Sequence, residues 1–239
     1  MPECIDLMGE TLAATARGDA MLPLRRVLQM RDGRGAFAVM PAVLGGASGP
    51  SDIGAKIITV FPGNAATKYE SHIGVVLYFD DVHGRLLAII DASSVTAIRT
   101  AAVSGLATRL LANPDASDLA ILGAGVQART HLEAMLAVRP VTRVRLWSRG
   151  DERAASFARW SEQRFGLAVE LCDSPERAVR GAHIICTVSG SKVPIVRGEW
   201  LADGVHINAV GASVATAREL DTSAVAGCRL FVDRRESAM

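Results

Sequence analysis

The sequence predicts an α/β protein: a parallel-sheet domain preceded by a smaller α+β lobe. Three observations carry this. From residue 117 onward, short β-branched runs alternate with helical patterns, the order that builds a parallel sheet with helices on both faces. Gly123-Ala124-Gly125-Val126-Gln127-Ala128 stands between one of these strands and the helix after it. Ahead of residue 92 the chain offers one amphipathic helix and then several extended segments in succession.

Taken in order, Glu3–Arg17 has helical spacing, with Ile5, Leu7, Met8, Leu12 and Ala16 toward one side. Gly35–Val39, Ala55–Phe61, Ile73–Phe79 and Leu86–Asp91 are rich in β-branched and aromatic residues and bounded by turn formers, which predicts strands. The glycines and proline of Gly45–Ser51 mark an exposed turn region, and Asp80–Gly84 reads as a hairpin turn. Ser93–Ala112 is one long alanine-rich helical pattern stopped by Asn113-Pro114. The domain boundary falls in or beside it: a lobe over 1–95, a connecting helix over 96–116 and the parallel-sheet domain over 117–239. In that domain the strands are predicted at Leu119–Leu122, Arg143–Trp147, Ala168–Leu171, His183–Val188, Val205–Val210 and Arg229–Val232. The helices fall at Val126–Val138, Glu152–Phe165 and Pro175–Val179.

Composition excludes several classes. The 239 residues are 49% hydrophobic and 21% charged, enough apolar material for a core. Lys+Arg 26 against Asp+Glu 25 leaves a net charge of +1, so no basic field gathers nucleic acid. No apolar run approaches the roughly 18 residues of a membrane span, and Met-Pro-Glu-Cys-Ile-Asp does not open like a signal peptide. Cys4, Cys172, Cys186 and Cys228 lie far apart, the pattern of reduced thiols in a cytoplasmic protein. His83, His131 and His183 lack metal-ligand spacing, and no metal site is expected.

The chemistry begins at the glycines. In a strand–turn–helix setting, Gly123 allows the tight turn, Gly125 lets the backbone approach a pyrophosphate, and Ala128 keeps the helix near the sheet. The helix N-terminus offers free N–H groups and a positive dipole end to the phosphates. An NAD-binding domain would place a carboxylate at the end of the second strand to receive the ribose hydroxyls. Here that end is Trp147-Ser148-Arg149, and Ser148 stands 25 positions after Gly123. Arg149 can pair with a 2′-phosphate and Ser148 can add a hydroxyl, which favours NADP (NADPH) while leaving NAD possible. The alternative for Arg149 is a solvated charge beside Asp151 and Glu152.

With that motif and its flanks in view, the chain resembles the ornithine cyclodeaminase/mu-crystallin family over nearly all its length. The resemblance rests on Pro23-Leu24-Arg25, Gly54-Ala55-Lys56, Phe61-Pro62-Gly63-Asn64, Ala97–Ala102, Gly123–Ala128, Ile207–Ala212 and Arg218-Glu219-Leu220-Asp221, in that order and spacing. It implies a Rossmann-type domain plus an α+β lobe for substrate and dimer contacts. It also implies hydride exchange between a nicotinamide and the α-carbon of an amino or imino acid. Arg25, Lys56 and Arg99 match the family's cations around the substrate carboxylate, and Lys56 can also supply a proton. Arg26 leaves open which arginine of the pair serves, and surface positions remain the alternative for Lys56 and Arg99. Ser71 matches a hydroxyl position, followed by His72, for which a structural role is the alternative. Thr187 and Val210 join Gly123, Ala124, Gly125, Val126, Gln127, Ser148 and Arg149 in the implied cofactor set.

Ser213 stands where ornithine cyclodeaminases carry an aspartate, and a hydroxyl is a poor base without an activating partner. Ser213 and Arg149 both point to the ketimine reductase branch. The expected activity is therefore NAD(P)H-dependent reduction of a small cyclic imino acid of the pyrroline- or piperideine-2-carboxylate type. The rivals are ornithine cyclodeamination, alanine dehydrogenase-like deamination, and a non-catalytic NADP-binding protein on the same scaffold. The expected partner is a small imino or amino acid, with no nucleic acid or membrane. Measured against the family, the chain reads as truncated at both ends, with a homodimer expected of the full-length form.

Overall fold

A computed structural model describes residues 1–45, 49–214 and 216–235; residues 46–48 of the expected turn region at 45–51, residue 215 and residues 236–239 lie outside the described residues. The chain divides into two compact units, Leu7–Arg99 and Met1–Asp6 with Thr100–Met239. The first six residues thus belong with the later unit, where the expected lobe began at residue 1. Ile5 is 1% exposed, and a Cβ built on Gly105 would meet its Cδ1 at 2.9 Å.

Helix α1 (Pro2–Arg17) ends at Gly18, whose positive φ of 86° turns the chain into the sheet. Strands β1 (Ala20–Met21), β2 (Arg26–Gln29), β3 (Ala36–Leu44), β4 (Asp52–Val60), β5 (His72–Phe79) and β6 (Leu86–Asp91) follow. They form an antiparallel sheet in the order β1-β3-β4-β5-β6, with β2 also on β3. The first strand predicted from sequence stopped at Val39, but β3 continues through Pro41 to Leu44. The register explains why a proline is tolerated there. β2 pairs with residues 36–39 of β3 and β1 with 43–44, so Pro41 stands in the gap between them and its missing N–H costs no ladder bond.

Side chains alternate across this sheet. Ala38 and Ile58 turn to one face and form a small core with Ala92, packed by Met40, Val60 and Val76. Lys56, opposite both Met40 and Val76, shares that face. The opposite face carries Phe37, Val39, Val43, Ile57, Val75 and Leu77. On this face Met21, Pro23, Pro41, Val43, Ile53 and Phe79 line an open apolar recess of about 320 Å³.

Helix α2 (Ala92–Leu111) starts where the Asp91 carboxylate accepts the Ser94 N–H at 2.7 Å; these bonds hold that acid below its usual range. Its far end is closed by Arg139. The guanidinium donates to the carbonyls of Thr108, Arg109, Ala112 and Asn113 at 2.7–3.0 Å, in and just past the last turn of the helix, where it complements the dipole, and to the Val138 carbonyl at 2.7 Å. Arg139→Met should therefore lower unfolding free energy by about 3 kcal/mol, with Arg139→Lys recovering only part, because lysine lacks the planar fork. Urea midpoints measure this; a loss under about 1 kcal/mol for the methionine variant would show that water replaces the cap.

The later unit holds five parallel strands, β7 (Asp118–Leu122), β8 (Arg143–Trp147), β9 (Val169–Leu171), β10 (Ile184–Thr187) and β11 (His206–Ala209), in the order β11-β10-β7-β8-β9. Helices α3 (Val126–Val138), α4 (Asp151–Phe165), α5 (Pro175–Val179) and α6 (Thr222–Ala226) intervene or follow. Leu119, Ile121, Leu146 and Ile184 pack with α3 and α4 residues on one face, while Ala120, Leu122 and Ile185 pack with Val179 and Val196 on the other. The expected strand at Arg229–Val232 does not form: no strand of the described residues pairs with it, and Leu230 and Phe231 are 70% and 54% exposed.

Candidate active site

The strand order reverses between β7 and β10, so a crevice opens outside their carboxyl ends. Gly123 lies at that reversal with φ 120°, and its N–H donates to the Trp147 carbonyl at 2.8 Å. A Cβ there would come within 2.7 Å of the Val188 carbonyl oxygen, so only glycine fits. Gly125, two residues on, meets a different requirement. It is the N-cap of α3, and no described atom lies within 4 Å of where its Cβ would stand. As a glycine it gives this 13-residue helix no side-chain cap, and its carbonyl accepts the Ala128 N–H at 3.1 Å. Ala128 is fully buried and keeps α3 against the sheet, with Ala124 packed beside the core. Val126 is 56% exposed and Gln127 half-buried at the mouth of the turn.

At the end of β10, Thr187 is fully buried, and its hydroxyl has no hydrogen-bond partner among the described residues. Its carbonyl accepts the N–H groups of Val210 and Gly211 at 3.0 and 3.1 Å, tying the ends of β10 and β11 together. Ser148 and Arg149 stand just past β8. The Ser148 hydroxyl closes a small turn on Gly150, and Arg149 is exposed. Open approach at Gly125, a helix that begins on a glycine, and an unpaired buried hydroxyl at Thr187 fit a dinucleotide. Ser213 is exposed in the turn after β11, its N–H donating to the Gly211 carbonyl at 2.9 Å.

The earlier unit gathers cations. Lys56 points from β4 and donates to the Thr96 hydroxyl at 3.3 Å. Burial first, then the charges of Arg99 and Arg25, bring its ammonium down from 10.5 to about 8. Arg25, ahead of β2, is the arginine whose charge reaches Lys56; Arg26 lies in β2 opposite Val39. Arg25 and Arg99 are both exposed. The Ser71 hydroxyl lies 3.0 Å from His72 Nδ1, and burial together with the charge of Lys56 lowers the His72 imidazole, against an opposing effect of Glu70. Arg25, Lys56, Arg99 and His72 therefore share one electrostatic neighbourhood. The dinucleotide set and this cationic set belong to different units.

Two residues escaped the sequence reading of the site. Thr96 lies three positions before Arg99 on α2, a spacing that puts both on one helical face and signals the Lys56 contact. Glu219 sits within Arg218-Glu219-Leu220-Asp221, where its spacing signals no task, yet it is 1% exposed and accepts hydrogen bonds beyond both β10 and β11.

The model of the ornithine cyclodeaminase/mu-crystallin family matches residues 1–239. The chain is 41% identical over 222 residues to the ketimine reductase mu-crystallin of Mus musculus, covering 93% of this chain and 69% of that protein. It is 35% identical to a Delta(1)-pyrroline-2-carboxylate reductase of Bacillus cereus, over 100% of this chain and 73% of that protein. Among solved structures, Thermococcus litoralis Delta(1)-pyrroline-2-carboxylate reductase in complex with NADH and L-proline superposes with a TM-score of 0.88 at 30% identity, over 93% of this chain and 68% of that one.

Proposed function

This chain belongs to the ornithine cyclodeaminase/mu-crystallin family, and we propose that within it the protein reduces a small cyclic imino acid to the cyclic amino acid, with NADPH as the preferred donor. The observation that carries the reading is the cationic group of Arg25, Lys56 and Arg99, in which burial and the two arginines bring Lys56 down to about 8. A carboxylate taken from water needs paired positive charge, and reduction of a C=N bond needs a proton for the nitrogen. Arg25 and Arg99 hold the carboxylate. Lys56, protonated below about pH 8, gives its proton to the nitrogen and regains it from solvent. The Ser71 hydroxyl, bonded to His72, orients the ring.

In the other unit, Gly123, Ala124, Gly125, Val126 and Gln127 receive the pyrophosphate, and Thr187 and Val210 border the half beyond it. Ser148 and Arg149 receive the 2′-phosphate. The bound nicotinamide supplies the hydride, and the reaction consumes one imine, one NADPH and one proton per amine formed. The Mus musculus and Bacillus cereus relatives are named for reductions of this type, and the Thermococcus litoralis relative holds NADH and L-proline. Ser213 argues against ornithine cyclodeamination, because a neutral hydroxyl is no base for an ammonium group. The apolar sheet face that carries Phe37, Val39, Val43, Ile57, Val75 and Leu77 supports a homodimer. Four free cysteines suit the cytoplasm.

The test is NADPH oxidation, followed by absorbance, with pyrroline-2-carboxylate and piperideine-2-carboxylate, beside ornithine plus NAD assayed for ammonia. Turnover of a cyclic imine and no ammonia is expected. Arg149→Asp should weaken NADPH about tenfold and favour NADH, since it removes a charge-assisted phosphate contact. Equal use of both cofactors by the unaltered chain would remove the NADPH preference, and rapid proline formation from ornithine would replace the reductase reading.

A further inference from the structure

The proposed reaction gives no task to Arg218-Glu219-Leu220-Asp221, yet Glu219 is the only buried carboxylate among the described residues. Its Oε1 accepts the Ser189 N–H at 2.8 Å and the Ser189 hydroxyl at 2.6 Å, and its Oε2 accepts the Gly211 N–H at 2.7 Å. Ser189 lies two residues past the end of β10, and Gly211 two past the end of β11. The backbone of Glu219 is anchored as well, its carbonyl accepting from Ile195 and Val196 at 2.8 and 3.0 Å. A third segment leans on the same place: the Gly123 turn packs against the Val188 carbonyl. One anion thus holds the loops beyond β10 and β11 together, through donors that are all uncharged. Burying a carboxylate without a cation is costly, and here the cost is met by charge-assisted bonds to two separate loops.

In a sheet of this order a dinucleotide lies across the reversal, with its adenosine half over β8 and its other half over β10 and β11. We infer that Glu219 is the positioning residue for the nicotinamide half of the cofactor, fixing the loops beyond β10 and β11 as a single platform. The inference rests on the dinucleotide reading above, but it makes a demand that reading does not. The two halves of the cofactor must respond differently when the clamp is altered.

Titration calorimetry on the full chain tests it, with NADPH and adenosine 2′,5′-bisphosphate as the probes. Glu219→Gln keeps the shape but turns an amide donor toward one of the N–H groups. NADPH should bind about tenfold more weakly or worse, while the adenosine probe stays within about twofold. Gly211→Ala repeats the test with Glu219 intact, since the new Cβ would overlap the Ser189 carbonyl and stand 2.5 Å from Glu219 Oε1. The same split is expected, and this variant decides the matter if Glu219→Gln does not fold. Unchanged NADPH binding overturns the inference. Parallel loss of both probes also overturns it, reducing Glu219 to a support of the fold. Failure of the unaltered chain to bind any dinucleotide overturns the cofactor reading and this inference together. Intact NADPH binding without imine turnover refutes the substrate assignment alone.

Discussion

Lys56→Met should all but abolish imine reduction, lowering kcat by about 10²–10⁴-fold, the range for loss of a positioned proton donor. NADPH affinity should stay within about twofold, because the dinucleotide set lies in the other unit. In the unaltered protein kcat/KM should fall as pH rises through about 8, where Lys56 loses its proton. With substrate bound, the carboxylate favours the ammonium, so the kcat profile should turn down at higher pH than kcat/KM. Stability should move the opposite way from activity. The folded-state value of Lys56 lies below its ordinary 10.5, so folding carries a disfavoured cation at every pH below about 8. Methionine removes that cost, and the gain should fade between about 8 and 10.5, where the folded lysine is already neutral and the unfolded chain holds its proton less and less favourably. Lost turnover with a raised Tm at neutral pH is the expected signature. Lost turnover with a lowered Tm would mean that Lys56 supports the sheet.

Arg99→Ala should raise KM for the imino acid about tenfold to a hundredfold, the loss expected of one charged hydrogen-bonding partner, with a smaller change in kcat. Arg99→Lys should recover part, since a point charge replaces half of a planar fork. A second effect separates substrate anchoring from surface charge. Arg99 is the larger of the two charge effects that lower Lys56. Removing it should carry the alkaline limb of kcat/KM upward in pH. An Arg99→Ala protein with unchanged KM and an unchanged limb would leave Arg99 outside the site.

The sequence is legible where one local pattern decides the outcome. Helix α3 and strand β8 match their predicted bounds residue for residue, because Gly125 opens the one and turn residues flank the other. Apolar runs alone mislead. Leu230-Phe231-Val232 has strand composition, but no strand of the described residues pairs with it. β1, two residues long, and β2, in which all four residues are exposed, present too little pattern to detect, and Pro41 hides half of β3. The glycine turn announces itself by spacing, whereas the depressed Lys56 does not. Its surroundings depend on Arg25, Thr96 and Arg99, which only the paired strands and α2 bring near. Glu219 escapes for the same reason, since its partners Ser189 and Gly211 follow two different strands.

The two glycines of the turn impose separable constraints on inheritance. At Gly123 any side chain collides with the backbone of the β10 loop whether or not a nucleotide is present, so folding by itself is enough to demand glycine there. At Gly125 the backbone has an ordinary φ of −88° and empty space around the missing Cβ. A lineage that stopped using the nucleotide would still be held to glycine at 123 and released at 125. In this fold the second position records whether the ligand is still in use, and the first records only that the chain still folds.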